Sequence, residues 1–319
     1  MENTAKNYLK LLFCFILLPC LTVNEALAQR EVMFAHYLYN KMEINPAYVG
    51  SRPSLSITAL NRSHWTMVFE NAPITQSLNL HSPANNQDVG LGMSFRNERF
   101  GPEKTTSFYS DFSYRVRLSR ESSIRFGLKA GVSMFTVPLT ELVIDDPGDP
   151  AFASDFQSHW LPNFGFGIYF RHPKIYAGFS IPKFLEVNYF DNAMTGGART
   201  ILQERNYYFM AGGIIDLNPD VFLRPVSYVR IQRDAPWEVG ISVECMFAER
   251  FSLGLMVRLQ ESIGVLVGLK ISENLTAGYS FDWSVLNKVP SFNFGSHEIV
   301  LRYDLMFLES HSRRGPLYF

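Results

Sequence analysis

His297-Glu298-Ile299-Val300-Leu301-Arg302-Tyr303-Asp304-Leu305-Met306-Phe307 decides the fold. Ile299, Leu301, Tyr303, Leu305 and Phe307 fall on one face, Arg302 and Asp304 on the other. A period of two marks a β-strand, whose side chains alternate across the pleat. Large hydrophobes opposite charges suit a wall between lipid and water as well as one between a packed core and water. Working back from this stretch, the same unit recurs to Ser54: about ten alternating residues, then a turn.

About fourteen strands are expected, within the range of closed outer-membrane barrels. They cover 54–61, 74–81, 89–96, 107–116, 123–136, 163–171, 175–181, 206–216, 222–230, 238–247, 250–259, 262–271, 276–283 and 297–307. Alternation is strict in several. Val89, Leu91, Met93 and Phe95 oppose Gly90, Gly92, Ser94 and Arg96; Phe251, Leu253, Leu255, Val257 and Leu259 oppose Ser252, Gly254, Met256 and Arg258. In 123–136, Ile124, Phe126, Leu128, Ala130, Val132 and Met134 oppose Arg125, Gly127, Lys129, Gly131 and Ser133. A face of Gly, Ser, Arg and Lys packs poorly against a protein core. It lines a lumen well, and its glycines let strands curve and close. The soluble competitor is a large β-sandwich, which alternates in the same way; the length of the strands, the polar glycine faces and the lack of disulfides speak against it.

Residues 1–28 read as a secretory signal peptide. Lys6 and Lys10 precede an apolar stretch from Leu11 to Val23, and Ala26-Leu27-Ala28 is an A-x-A site with cleavage expected after Ala28. The apolar stretch falls short of the ~20 residues of a spanning helix. A lipidation box at Leu17-Leu18-Pro19-Cys20 is poorly formed, because proline precedes the cysteine. Cleavage removes two of the three cysteines, leaving Cys245 and no intrachain disulfide. Cys245 shares a face with Val239, Ile241, Val243 and Phe247, as a small hydrophobe would.

With 29 basic and 30 acidic residues there is no electrostatic case for nucleic acid. Aromatics reach 14 % while mean hydropathy is only -0.02, as expected when lipid-facing Phe, Leu and Val average against lumen-facing Ser, Gly, Arg and Asp. No later apolar run is long enough for a helical span. The short links 248–249, 260–261, 172–174 and 217–221 are expected at the periplasmic rim, and the longer 138–160, 182–205 and 286–296 at the surface. An even-stranded barrel puts chain entry and exit on the periplasmic side. The division is therefore signal peptide 1–28, periplasmic N-terminal segment 29–53, barrel 54–307 and periplasmic tail 308–319.

Ahead of the first strand stands Tyr39-Asn40-Lys41-Met42-Glu43-Ile44-Asn45-Pro46-Ala47-Tyr48-Val49-Gly50-Ser51-Arg52. It resembles the opening signature of the PorP/SprF family, outer-membrane proteins linked to the type IX secretion system of Bacteroidetes. Trp65, Ala72-Pro73-Ile74-Thr75-Gln76, Val89-Gly90-Leu91-Gly92, Phe100-Gly101-Pro102 and Gly127-Leu128-Lys129-Ala130-Gly131 extend the likeness over nearly the whole mature chain, most firmly over 34–136. Val49 stands where the family has a small residue, and Gly315-Pro316-Leu317-Tyr318-Phe319 departs from the expected Pro-Arg-Tyr-Phe ending. The resemblance implies a non-enzymatic outer-membrane component that assists secretion or surface anchoring of client proteins bearing C-terminal sorting domains. It implies contact with the type IX machinery and with outer-membrane lipid, long loops toward the client, and 34–52 and the tail toward the periplasm. Asn45, Pro46, Ala47, Tyr48, Gly50, Arg52, Tyr318 and Phe319 are the candidate partner-binding residues. Read by chemistry alone, Asn-Pro fixes an extended residue followed by a bend, Gly50 permits positive φ, and Tyr48 suits a membrane edge or a plug contact. A turn delivering the chain into the first strand and a partner site both fit.

No catalytic, metal or cofactor site is expected. Asp145-Asp146-Pro147-Gly148-Asp149-Pro150 lacks the distal glutamate of an EF-hand loop, no Gly-x-Ser-x-Gly occurs, and no histidine pair has zincin spacing. Inward charges of both signs (Arg96, Arg115, Arg125, Lys129, Arg171, Arg230, Arg258, Lys270 and Arg302 against Asp111, Asp216, Glu238, Glu244, Asp282, Glu298 and Asp304) favour internal ion pairs over a one-sign selectivity ring. The alternative function is a channel or transporter for a small or hydrophobic solute.

Overall fold

The computed structural model describes residues 33–64, 72–84, 87–138, 156–190, 199–233, 235–285 and 295–305. The signal region, Trp65, the acidic cluster 145–149 and the tail with Tyr318 and Phe319 lie outside them. In chain order the strands are β1 (Leu55–His64), β2 (Ile74–Pro83), β3 (Val89–Phe100), β4 (Glu103–Arg117), β5 (Ser123–Val137), β6 (Phe156–Arg171), β7 (Ile175–Ile181), β8 (Val187–Phe190), β9 (Arg199–Gln203), β10 (Asn206–Gly213), β11 (Ile215–Asn218), β12 (Val221–Gln232), β13 (Glu238–Phe247), β14 (Phe251–Arg258), β15 (Ser262–Lys270), β16 (Leu275–Ser284) and β17 (Ser296–Leu305). Before β1 come a single helical turn, α1 (Lys41–Ile44), and a 3-10 turn, Pro46–Tyr48.

Each expected strand is present, most ends shifting by up to four residues, while β6 begins at Phe156, seven residues before its expected start and inside the expected loop 138–160. Neighbours pair antiparallel around the sheet, and β1 pairs β17 from Leu55 with Leu305 to His64 with Ser296. The ring is sealed by β10 on β12. β11 continues β10 past Ile214 against the same partner, so the two make one barrel strand. The result is a closed 14-strand antiparallel barrel. β8 and β9 form a separate hairpin inside the link 182–205, where the sequence gives no strand expectation.

Alternation sorts the side chains as the period demands. Phe251, Leu253, Leu255 and Val257 of β14 point outward, while Ser252, Gly254, Met256 and Arg258 are turned in. Outward Trp160, Trp237 and Trp283 stand near one rim, and Tyr114, Phe247, Phe251 and Tyr303 near the other. Two aromatic girdles flanking an apolar band are what the two membrane interfaces select. Cys245 lies half-buried on the outward face with Val243 and Phe247, as its parity requires.

β1 begins and β17 ends at the same rim, here the terminal rim; the opposite one is the loop rim. Loop length does not sort perfectly between them. The link 248–250 is at the terminal rim, so 259–261, one strand later, must be at the loop rim, against the sequence expectation for 260–261. Parity of strand crossing overrides length. Fourteen strands about 4.8 Å apart and tilted about 40° enclose a backbone cylinder of roughly 14 Å radius. Wall side chains alone fill a barrel of about eight strands, so this lumen needs other contents.

Candidate functional site in the barrel lumen

The lumen is filled by the chain's own N-terminal segment. From Met33 to Arg52 every residue is buried except Glu43, which is nearly so. This corrects the sequence expectation that 29–53 hangs in the periplasm: residues 33–52 are inside the cylinder. Met33, Phe34, Tyr37, Leu38, Tyr39, Met42, Ile44, Ala47, Tyr48 and Val49 form one apolar cluster with wall residues Tyr169, Tyr176, Tyr208, Met210, Phe222, Val226, Tyr228 and Val300. Such a core, absent from a water-filled pore, gives the plug a hydrophobic driving force.

Local chemistry shapes the bend. Asn45 is extended (φ -132°, ψ 111°) and its Oδ1 accepts from Ala47 N–H at 2.9 Å, capping the turn that Pro46 opens. Its Nδ2 donates to the Ile168 carbonyl at 3.0 Å, tying the bend to β6. The turn lies on wall glycines. A Cβ built on Gly127 would stand 2.2 Å from Ala47 N, and one on Gly167 2.1 Å from Asn45 Oδ1. Gly50 leaves the turn at φ 67°, a conformation that glycine adopts without strain. Ser113 Oγ then donates to the Val49 carbonyl at 2.6 Å, and Arg125 Nη2 to the Gly50 carbonyl at 2.7 Å.

Charges staple the segment at both ends. Arg52 pairs with Asp304 of β17 at 3.0 Å. At the other end, Glu298 accepts the backbone N–H groups of Ala35 and His36, each at 2.7 Å. Arg62 holds Glu298 at 3.2 Å and Asp282 at 2.7 Å, and Arg258 approaches the same Asp282 at 3.5 Å. Between the staples, Lys41 Nζ sits 3.9 Å from the centre of the Tyr176 ring and 5.3 Å from that of Tyr48. Tyr37 donates from its hydroxyl to the Val226 carbonyl at 3.1 Å. A cavity of about 40 Å³ remains near the loop end, lined by Phe34, Tyr37, Glu43, Arg96, Tyr109 and Lys129. It has room for a few ordered waters.

A family model of type IX secretion system membrane proteins, PorP/SprF, matches residues 26–303. The chain belongs to the PorP/SprF family. No curated protein matches it. Among solved structures, it is similar to the toluene transporter TbuX of Ralstonia pickettii at 8 % identity, TM-score 0.49, covering 83 % of this chain and 92 % of that one. A Pseudomonas aeruginosa FadL homologue gives 9 % identity and TM-score 0.48, covering 83 % and 94 %. The Acinetobacter baumannii outer membrane protein Omp33 gives 7 % and 0.45, covering 80 % and 100 %. At such values nothing about a solute carries over to this PorP/SprF chain.

Within this PorP/SprF barrel, Asn45, Pro46, Ala47, Tyr48, Gly50 and Arg52 are brought together at the foot of the plug, all buried against the wall. A partner reaching them must first move the plug. Tyr318 and Phe319 lie outside the described residues. Of the expected lumen charges, Arg96, Arg125, Lys129, Arg230, Arg258, Asp111, Glu238, Glu244, Asp282, Glu298 and Asp304 are buried inside. Asp216 is exposed and pairs with Lys174 at the terminal rim, so it is a rim charge and not a lumen one. The sequence expectation omitted Arg62 and Arg224, which belong to the buried set. In the 84–88 link, the Arg115 guanidinium, then that of Arg117, holds the Asp88 carboxyl below the usual carboxylate range by hydrogen bonding. No group of His, Cys, Asp and Glu among the described residues is arranged to hold a metal ion.

Proposed function

We propose that this PorP/SprF barrel works without catalysis in the outer membrane, assisting the type IX machinery in secreting or surface-anchoring client proteins that carry C-terminal sorting domains. One observation carries the reading: the lumen is packed by residues 33–52 and pinned by buried ion pairs, which leaves the two rims and the lipid-facing wall as working surfaces. On this reading the loop rim, with its β8–β9 hairpin, faces the client, and the terminal rim faces periplasmic parts of the machinery. The signal peptide, cleaved after Ala28, brings the chain to that compartment. Passage of a small or hydrophobic solute has weaker support, because residues 33–52 occupy the lumen and pack against its wall.

The test is deletion of the gene followed by a surface proteome. A subset of sorting-domain proteins should disappear from the cell surface and accumulate inside the cell. Unaltered export and retention of every such protein would overturn the proposal.

A further inference from the structure

Height along the barrel axis follows from which strand end each plug residue touches. Arg258 closes β14 at the loop rim; its Nη1 reaches Glu261 of the rim turn at 2.8 Å, and its Nη2 donates to the Met33 carbonyl at 3.0 Å. Ala35 and His36 meet Glu298, near the loop-rim start of β17. Tyr37 meets Val226 and Ser242 midway along β12 and β13. Asn45 meets Ile168 of β6, and Gly50 meets Arg125 close to the terminal-rim start of β5. Arg52 meets Asp304, next to the last residue of β17 at the terminal rim. The course is not monotonic, since Tyr39 meets Arg224 low on β12 and Glu43 turns back up to Arg96 on the loop half of β3 at 3.2 Å, but its net direction from Met33 to Arg52 is descent.

We propose that residues 33–52 thread the lumen from loop rim to terminal rim, with Glu298 as the latch on the loop-rim end of the segment. That this rim faces the outside, and that a free end lies just ahead of Met33, rest on the outer-membrane and signal-peptide readings above; the course of residues 33–52 and their contacts with Glu298 do not. The direction has a mechanical consequence. The segment is bonded to β1 at the terminal rim, so it can be drawn out only through that rim, free end trailing through the lumen. Drawn that way, the contacts of Arg52 and Gly50 yield first and those of Glu298 and Arg258 last, whereas fraying from the trailing end breaks those of Glu298 and Arg258 first. The latch is a buried ionic cluster: Arg62 and Arg258 face Asp282 and Glu298, Glu261 pairs Arg258 from the rim turn, and two of the donors to Glu298 are plug amides. Withdrawal leaves that carboxylate short of partners, so reinsertion is favoured.

Hydrogen exchange on purified protein in detergent tests the latch with Glu298→Gln, which keeps the side chain's size and removes its charge. Amides 34–38 should exchange at least tenfold faster, with 45–51 unchanged. Equal acceleration over 33–52, or none, overturns the latch. Should that variant not fold, Arg258→Met is read by the same criterion. An epitope inserted after Gln29 tests the direction: staining of intact cells is expected. Staining only after permeabilisation, with the exchange pattern intact, means that the barrel faces the other way in the membrane; both results failing overturns the threading itself.

Discussion

Replacing Gly127 with alanine asks whether the wall glycines seat the plug. The new Cβ would stand 2.2 Å from Ala47 N and 2.4 Å from both Ala47 Cα and the Pro46 carbonyl carbon. Ordinary non-bonded contact needs about 3.5 Å, so the turn must retreat by roughly 1 Å. All three obstacles are backbone atoms, and no side-chain rotation relieves them. β5 is bonded on both sides, to β4 and β6, and cannot give way. The turn's retreat would strain the Asn45 bond to the Ile168 carbonyl, now 3.0 Å. Overpacking of this kind costs about 1–3 kcal/mol. The strain vanishes when the plug unseats, so all of it falls on the seating equilibrium. At about 1.4 kcal/mol per factor of ten, the unseated population rises roughly 5- to 150-fold. Hydrogen exchange of amides 45–51 in detergent reads that population directly. Gly213→Ala is the control, since its Cβ would meet nothing closer than 3.3 Å. Folded Gly127→Ala protein with wild-type exchange over 45–51 would refute the seating argument.

Three further outcomes follow from the same geometry. Asp304→Ala leaves Arg52 and Arg302 without that carboxylate and should cost about 3–5 kcal/mol in urea titrations, with Arg52→Met/Asp304→Ala costing less than Arg52→Met and Asp304→Ala summed; additive costs would contradict the pairing. Leu255→Arg, on the outward face, should destabilise the barrel refolded in lipid vesicles by about 2–4 kcal/mol if Leu255 sits near the bilayer midplane; a neutral result would place that face in water. The lowered Asp88 pKa means that its contribution is present above the ordinary carboxylate pKa and is lost as pH falls through the depressed value. Wild type should therefore lose urea resistance relative to Asp88→Asn only below about pH 4, and a constant difference at all pH values would exclude the linkage.

The barrel was legible because its signal is periodic and repeated. Lipid sorts each outward side chain alike, so Leu253, Leu255 and Val257 give the same message as Ile299, Leu301 and Tyr303. The plug was not legible, because residues 33–52 have no period and their burial is decided by a wall distant in sequence. The inward glycines are ambiguous too: Gly127, read as an aid to curvature, makes room for a passing backbone, and Gly167 on β6 does the same. Two omissions were avoidable. Arg224 has the parity of Arg230 on β12, and Arg62 has that of Thr58 on β1, where ending the strand at Asn61 hid it. The 260–261 link is short yet lies at the loop rim, because the parity of strand crossings and not loop length sets its side.

Planar-bilayer recording of the purified full-length chain tests the account's central claim most directly. A lumen packed by residues 33–52 predicts a membrane-inserted protein with no steady conductance, and openings only in variants that unseat the plug, such as Gly127→Ala. A stable wild-type conductance equal to that of a chain lacking 33–52 would contradict it.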